Sequence, residues 1–210
     1  MELNESLQAI QRGEQGELLQ KILETLVLYG EAFDAKRMVP VTSKYGHTVI
    51  SYGLKSLGAV MDLYDRILEA NLPEGQKFTA DPKPLDKNVP SSLLEDLVFR
   101  KLMYTDQDRF EEQLRKLGIK SEDDYTCACY LDQVGNTPEK GDVLSWAESS
   151  AVVYANSVLG AKCNRNSGII ELMGSILGYV PEFGLLLDEG LPLVRFCLGQ
   201  RNFPRPKRAY

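Results

Sequence analysis

The run Trp146-Ala-Glu-Ser-Ser-Ala-Val-Val-Tyr-Ala-Asn-Ser-Val-Leu-Gly-Ala161 constrains this chain more than any other stretch of it. Its sixteen residues hold a single charge, Glu148, with three serines, one amide (Asn156) and the only tryptophan in the chain. A helix bathed in water usually carries a charged face, and this block carries one charge. Small side chains let backbones and ligands approach closely, and hydroxyls beside a lone carboxylate suit the fixing of a polar substrate. Two readings fit these residues. One is a buried small-residue helix whose Ser and Asn side chains are satisfied locally; the other is one wall of a polar pocket.

Composition narrows the partners. Hydrophobic residues make up 43% and charged residues 26%, the balance of a globular chain. A domain of 210 residues buries about 70% of its unfolded surface. The net charge of -6 speaks against a nucleic-acid partner, which would call for a basic face. The basic cluster Arg205-Pro-Lys-Arg208 reads as a solvated tail. No apolar run approaches the roughly 20 residues of a membrane helix, and Met1-Glu-Leu-Asn-Glu5 has no secretory-signal character. The expectation is a cytoplasmic protein whose four cysteines stay reduced, so that they serve metal ligation or packing rather than disulfides.

The patterning predicts alternating helices and strands. Asn4 is expected to cap a short first helix. Leu18, Leu19, Ile22, Leu23, Leu26 and Val27 fall at helical spacing, with Gly30 as the stop. Residues 38–42 read as a strand, placed at an edge by Pro40, and 47–53 as a second extended segment. A helix over 55–70 presents Val60, Met61, Tyr64 and Ile67 on one face and ends at Asn71-Leu-Pro73. A strand at 77–80 leads into the proline-rich loop 81–90. Ser91 or Ser92 caps a helix carrying Leu94, Leu97, Val98 and Leu102. Thr105 with Asp108 forms a capping box for a helix ending at Gly118. Residues 125–131 and 185–188 read as strands, with a helix over 169–177 between them. This order gives an α/β fold, helices layered around a short-stranded, largely parallel sheet.

The wording around the small-residue block carries a resemblance. Thr126-Cys127-Ala-Cys129-Tyr130-Leu131 precedes it, followed by Gly135-Asn-Thr-Pro138 and Gly141-Asp142; Asn164-Arg165-Asn166 and Gly168 come after it. In this order the series resembles the large subunit or catalytic domain of the aconitase X family, which includes phosphomevalonate dehydratase large subunits and cis-3-hydroxyproline dehydratases. The resemblance covers residues 5–190, densest over 126–165, and only the N-terminal half of such a domain. It implies an aconitase-like half over residues 1–190 and a divergent tail over 191–210.

It also implies site residues. Cys127 stands where the family has an iron or iron–sulfur ligand. Glu148 and Ser149 stand at its substrate-contacting Glu-Ser, and a carboxylate and a hydroxyl there would orient the substrate or relay a proton; as bare residues they equally suit a helix N-cap. Val49, Ile50 and Ser51 stand at a substrate-contacting Gly-Val-Ser, and Asp81 and Pro82 at an Asn-Pro. Val49 in place of Gly narrows the backbone approach, and Asp81 in place of Asn sets a negative charge where an anionic substrate would sit. Cys129 replaces a proline. On a strand it would face the same side as Cys127. Cys163 and Cys197 are assigned to packing, and His47, the only histidine, is left between a site position and an ordinary surface one.

Two functions follow. The first is a hydro-lyase acting on a small hydroxy acid such as phosphomevalonate or a hydroxyproline, with iron as Lewis acid. The resemblance then implies a complementary C-terminal half and a small swivelling subunit or domain as partners, because one thiolate does not hold a three-cysteine cluster. The second is a truncated structural or interaction protein that keeps the family core.

Overall fold

The computed structural model describes residues 1–49, 57–70, 72, 76–81, 92–95, 97–98, 106–119, 121 and 124–190. The expected positions Ile50, Ser51, Pro82, Thr105 and Cys197, and the 191–210 tail, lie outside the described residues.

Helix α1 (Glu5–Gln11) starts at Asn4, whose side-chain oxygen accepts the Leu7 amide at 2.9 Å. Helix α2 (Glu17–Glu31) buries Leu19, Ile22, Leu23 and Leu26 against α1, Met38 and Leu177. Gly30 does not stop this helix, contrary to expectation. It lies inside the last turn because the helix passes close to residue 181: a Cβ on Gly30 would meet the Pro181 Cβ at 2.4 Å. Strand β1 (Met38–Pro40) follows, then β2 (Gly46–Thr48).

Helix α3 (Leu57–Glu69), strand β3 (Phe78–Ala80) and helix α5 (Gln107–Leu117) build a second core. Met61, Tyr64 and Ile67 of α3 meet Phe110 and Leu114 of α5, and the Tyr64 and Phe110 rings stack with centroids 5.7 Å apart. The single turn α4 (Leu93–Glu95) is opened by Ser92, whose hydroxyl accepts the Glu95 amide while the Glu95 carboxylate accepts the Ser92 amide. That is a capping box. Gly118, at φ 120°, ends α5 as expected.

The serine-rich block divides into α6 (Ser149–Tyr154) and one π-helical turn (Ala155–Leu159) closed by Gly160. Its buried face, Ala151, Val152 and Ala155, packs on Trp146, Leu144, Cys129 and Cys163 as a third core. Asn156 pins this turn by donating to the Val152 and Cys163 carbonyls, each at 2.9 Å. Helix α7 (Gly168–Leu177) packs on β2 and on α2, and β4 (Tyr179–Pro181) closes the chain against β1.

The fold is α/β with short strands. β2 and β3 pair in parallel, in the register Gly46↔Phe78, His47↔Thr79, Thr48↔Ala80. β1 and β4 pair antiparallel, Val39 opposite Val180. Two expected strands are absent. Residues 127–135 form turns, and of the expected strand only Tyr125 bridges β3. Residues 184–190 form two 3-10 turns.

A cleft at the carboxyl ends of the strands

Single parallel bridges widen the β2–β3 pair into a broader surface. Lys162 bridges Val143, Trp146 bridges His47, and Ala80 bridges Tyr125. The hydrogen bonds are short: the Ala147 amide donates to the His47 carbonyl at 2.8 Å, and the Thr126 amide to the Ala80 carbonyl at 2.7 Å. All these stretches point the same way. The chain therefore leaves the same edge at five points, running into Val49, Asp81, Cys127, Glu148 and Arg165. The carboxyl edge of parallel strands is where open α/β sheets bind ligands.

A cleft of about 460 Å³ opens there, lined by Val49, Val60, Ala147, Glu148, Ser149 and residues 165–169. Gly168 makes its floor possible. A Cβ on Gly168 would lie 1.6 Å from the Val49 carbonyl oxygen, so no larger residue fits between β2 and α7.

Glu148 sits at φ 72° and ψ 115°, outside the regions open to ordinary side chains. Its carboxylate accepts from the Ser150 amide at 3.3 Å and the Ser150 hydroxyl at 3.1 Å. It is thus both the N-cap of α6 and a cleft residue, so the two readings of this position describe one geometry. Ser149 lies exposed at the rim.

The other predicted residues lie within electrostatic reach. Asp81, after β3, has its pKa raised by burial and then by the Glu148 carboxylate. Cys129 has its thiol pKa raised chiefly by burial, with Glu148 and Cys127 among the smaller contributors. The expected common facing of the two cysteines fails, however: Cys127 is exposed and Cys129 buried. The Ala128 amide donates to Thr126 Oγ1 at 3.1 Å, and this local turn replaces the strand. Cys163 is buried as expected.

His47 is no surface residue. It is 1% exposed, its Nδ1 lies 2.9 Å from Thr79 Oγ1, and its Nε2 has no partner. Burial lowers its pKa to about 4 against the pull of Glu148, so it is neutral at physiological pH. Asn136 completes this buried group by donating to the Gly46 carbonyl at 3.1 Å and to Thr79 Oγ1 at 3.0 Å.

Sequence reasoning did not single out Arg165, Asn166 and Ser167 as cleft residues. The signal was the polar run 164–167 directly before an apolar helix, where a Ser cap belongs; Ser167 Oγ accepts the Ile170 amide at 3.4 Å. Glu171 was also missed, although a lone acid within Gly-Ile-Ile-Glu-Leu-Met-Gly marks a buried carboxyl. Together the cleft offers a carboxylate, hydroxyls and a guanidinium, the set that orients a small polar acid. Among the described residues no group of three or more His, Cys, Asp or Glu is arranged to hold a metal ion. Cys127 is the exposed thiol at this edge, and the described residues do not by themselves complete a metal centre.

The family model for the aconitase X first domain matches residues 1–189. The phosphomevalonate dehydratase large subunit of Methanocaldococcus jannaschii is 34% identical over 189 residues, 90% of this chain and 44% of that protein. The cis-3-hydroxy-L-proline dehydratase of Pseudomonas aeruginosa is 26% identical over 184 residues, 87% of this chain and 29% of that protein. The crystal structure of Thermococcus kodakaraensis aconitase X in its holo-form superposes with a TM-score of 0.72 at 31% identity, covering 90% of this chain and 44% of that one. The chain thus spans less than half the length of the relatives it matches. No helix among the described residues is long and apolar enough to cross a membrane.

Proposed function

The chain belongs to the aconitase X family, and from that premise we propose that it supplies the substrate-cleft portion of a hydro-lyase that removes water from a small hydroxy acid. The observation that carries this reading is the convergence of Val49, Asp81, Cys127, Glu148 and Arg165 at one carboxyl edge. Phosphomevalonate and a cis-3-hydroxyproline are the substrates to be compared, since relatives are named for both.

In this proposal Arg165 binds the substrate carboxylate, and Ser149 donates a hydrogen bond to a substrate oxygen. Glu148 accepts the hydroxyl hydrogen of the substrate and so fixes its orientation. Its carboxylate caps α6 at the edge of the cleft that Glu148 lines. Cys127 would supply one thiolate to an iron or iron–sulfur centre whose other ligands come from a complementary C-terminal portion. Such a centre polarises a leaving hydroxyl when bound. Asp81 adds negative charge beside Glu148, which favours a substrate carrying an ammonium-type nitrogen over a dianionic phosphate.

The test assembles the full chain with a complementary C-terminal half and a small swivelling subunit, and measures dehydration of both substrates. Turnover is expected from the assembly and not from the isolated chain. Glu148→Gln is expected to lower kcat by about 100-fold or more. Assembly without turnover, or full turnover in Glu148→Gln, leaves the chain as a structural component and ends the proposal.

A further inference from the structure

Ser145 and Glu171 share too few hydrogens for an ionised carboxylate. The Ser145 hydroxyl oxygen lies 2.7 Å from the Glu171 main-chain oxygen and 2.7 Å from Glu171 Oε2. A hydroxyl has one hydrogen to donate. Were Glu171 ionised, one of these short oxygen–oxygen contacts would contain no hydrogen, in a place where Ser145 is 0% and Glu171 1% exposed. A carboxylic acid resolves this: Ser145 donates to the main-chain oxygen, and Glu171 Oε2–H donates back to Ser145 Oγ. The other carboxyl oxygen, Oε1, accepts from Asn166 Nδ2 at 2.7 Å. Asn166 Oδ1 then accepts from the Tyr29 hydroxyl at 2.9 Å. Asn166 itself lines the cleft, so a hydrogen-bonded line runs from the core to its wall.

We propose that Glu171 is kept protonated as a positioning residue: through Asn166 it sets the Arg165–Gly168 wall of the cleft, and losing its proton weakens ligand binding there. Burial is the leading cause that lifts its pKa, to about 8, against the opposing pull of Ser145 and Asn166. Among the described residues, the titratable groups around it offer no compensating charge. Tyr29 of α2 and Cys163 both have pKa values raised by burial first and by Glu171 second. His47, on the β2 strand that α7 covers, is neutral. The nearest cation in sequence is Arg165, which is exposed and lines the cleft. An ionised Glu171 would therefore be an uncompensated buried charge, and such a group is relieved by water entry or displacement of its surroundings. Asn166 is the surrounding group that touches the cleft.

The proposal rests on the substrate cleft described above only where ligand binding is concerned, and the experiment has two arms accordingly. In the first, the infrared spectrum of the full chain is recorded across pH 6–10. A carboxylic-acid carbonyl band is expected at neutral pH, titrating away near pH 8 and missing in Glu171→Gln. In the second, binding of cis-3-hydroxy-L-proline is measured by calorimetry on the wild type and on Glu171→Gln, whose amide donates to Ser145 and accepts from Asn166 as the acid does. Wild-type affinity is expected to fall about tenfold one pH unit above the transition, in proportion to the protonated fraction. Affinity in Glu171→Gln is expected to be flat. A wild type without the acid band overturns the proposal, as do identical pH profiles in the two proteins. Absence of binding at every pH, with the band present, sinks the substrate reading instead and leaves the protonated acid established without its role at the cleft.

Discussion

Replacing Glu148 separates its backbone strain from its chemistry. With φ 72° and ψ 115° it occupies a region where a side chain costs on the order of 1–3 kcal/mol. Its carboxylate offsets part of that by capping the Ser150 amide, a contact worth about 1 kcal/mol against alanine and only a few tenths against glycine. In Glu148→Ala the strain remains and the cap is lost, so stability should fall by about 1 kcal/mol. In Glu148→Gly the strain disappears, while the unfolded chain gains freedom worth about 0.4–1 kcal/mol. The glycine variant should therefore exceed the alanine variant by roughly 1–2 kcal/mol and stand close to the wild type. For a chain of this size that is a separation of about 2–8 °C in Tm. Trp146, the only tryptophan and 0% exposed, reports unfolding directly by fluorescence in urea. If the proposed assembly turns substrate over, both variants should lose that turnover. An alanine variant as stable as the glycine one would show that the backbone at Glu148 holds no strain.

Glu171 makes stability depend on pH in a definite sense. Its folded pKa near 8 stands above the ordinary 4.5, so the folded protein keeps a proton that the unfolded chain releases, and the stabilisation present below pH 4.5 is lost as pH rises to 8. The stability of Glu171→Gln relative to wild type should rise by about 1.4 kcal/mol per pH unit across that window, roughly 5 kcal/mol in all, and then level off; a flat difference in urea midpoints would refute it. Cysteine labelling gives a separate check on the turn at 127–129. In the native chain Cys127 should react with a thiol reagent while Cys129 and Cys163, buried and with raised thiol pKa values, stay protected, as read by peptide mass spectrometry.

The helices were legible because each carries its pattern within one stretch of sequence. The faces of α2, α3 and α5 repeat at helical spacing, and Asn4 and Gly118 mark ends with chemistry that acts over three or four residues. Strands β1, β2 and β3 were read as short extended segments, but β4 was not, and pairing partners that lie tens of residues apart leave no local pattern. His47 illustrates the cost. Flanked by Gly46 and Thr48 it looks like a surface residue, yet it lies between β3 on one side and the 145–147 segment on the other. The false strand at 185–188 has a similar origin. Its apolar run is real, but Asn164 takes the Leu185 amide at 2.8 Å and donates to the Phe183 carbonyl at 2.9 Å, which folds the segment into a turn. The acid and hydroxyls of the cleft were visible as a composition anomaly. Arg165 was not, because its place depends on the Val143–Lys162 bridge that turns the chain toward the site.

This dependence on distant pairing also explains how so slight a sheet can position a site. Strands this short do not hold their own register, and α7 does that work for β2 by packing along it. At Gly168 the approach leaves no room for a methyl group, so Val49 and the start of α7 are fixed relative to each other. The same helix holds Asn166 through Glu171, and on its other face meets α2, which brings Tyr29 to Asn166. One wall of the cleft is thus tied to buried groups of α7 and to α2. The facing wall, Glu148 and Ser149, opens a six-residue helix and is held by the Ala147 amide on the His47 carbonyl and the Val152 amide on the Glu148 carbonyl. Ligand-dependent adjustment should therefore concentrate at 148–150, where the backbone is already displaced from its relaxed geometry, while the Asn166 side stays in register.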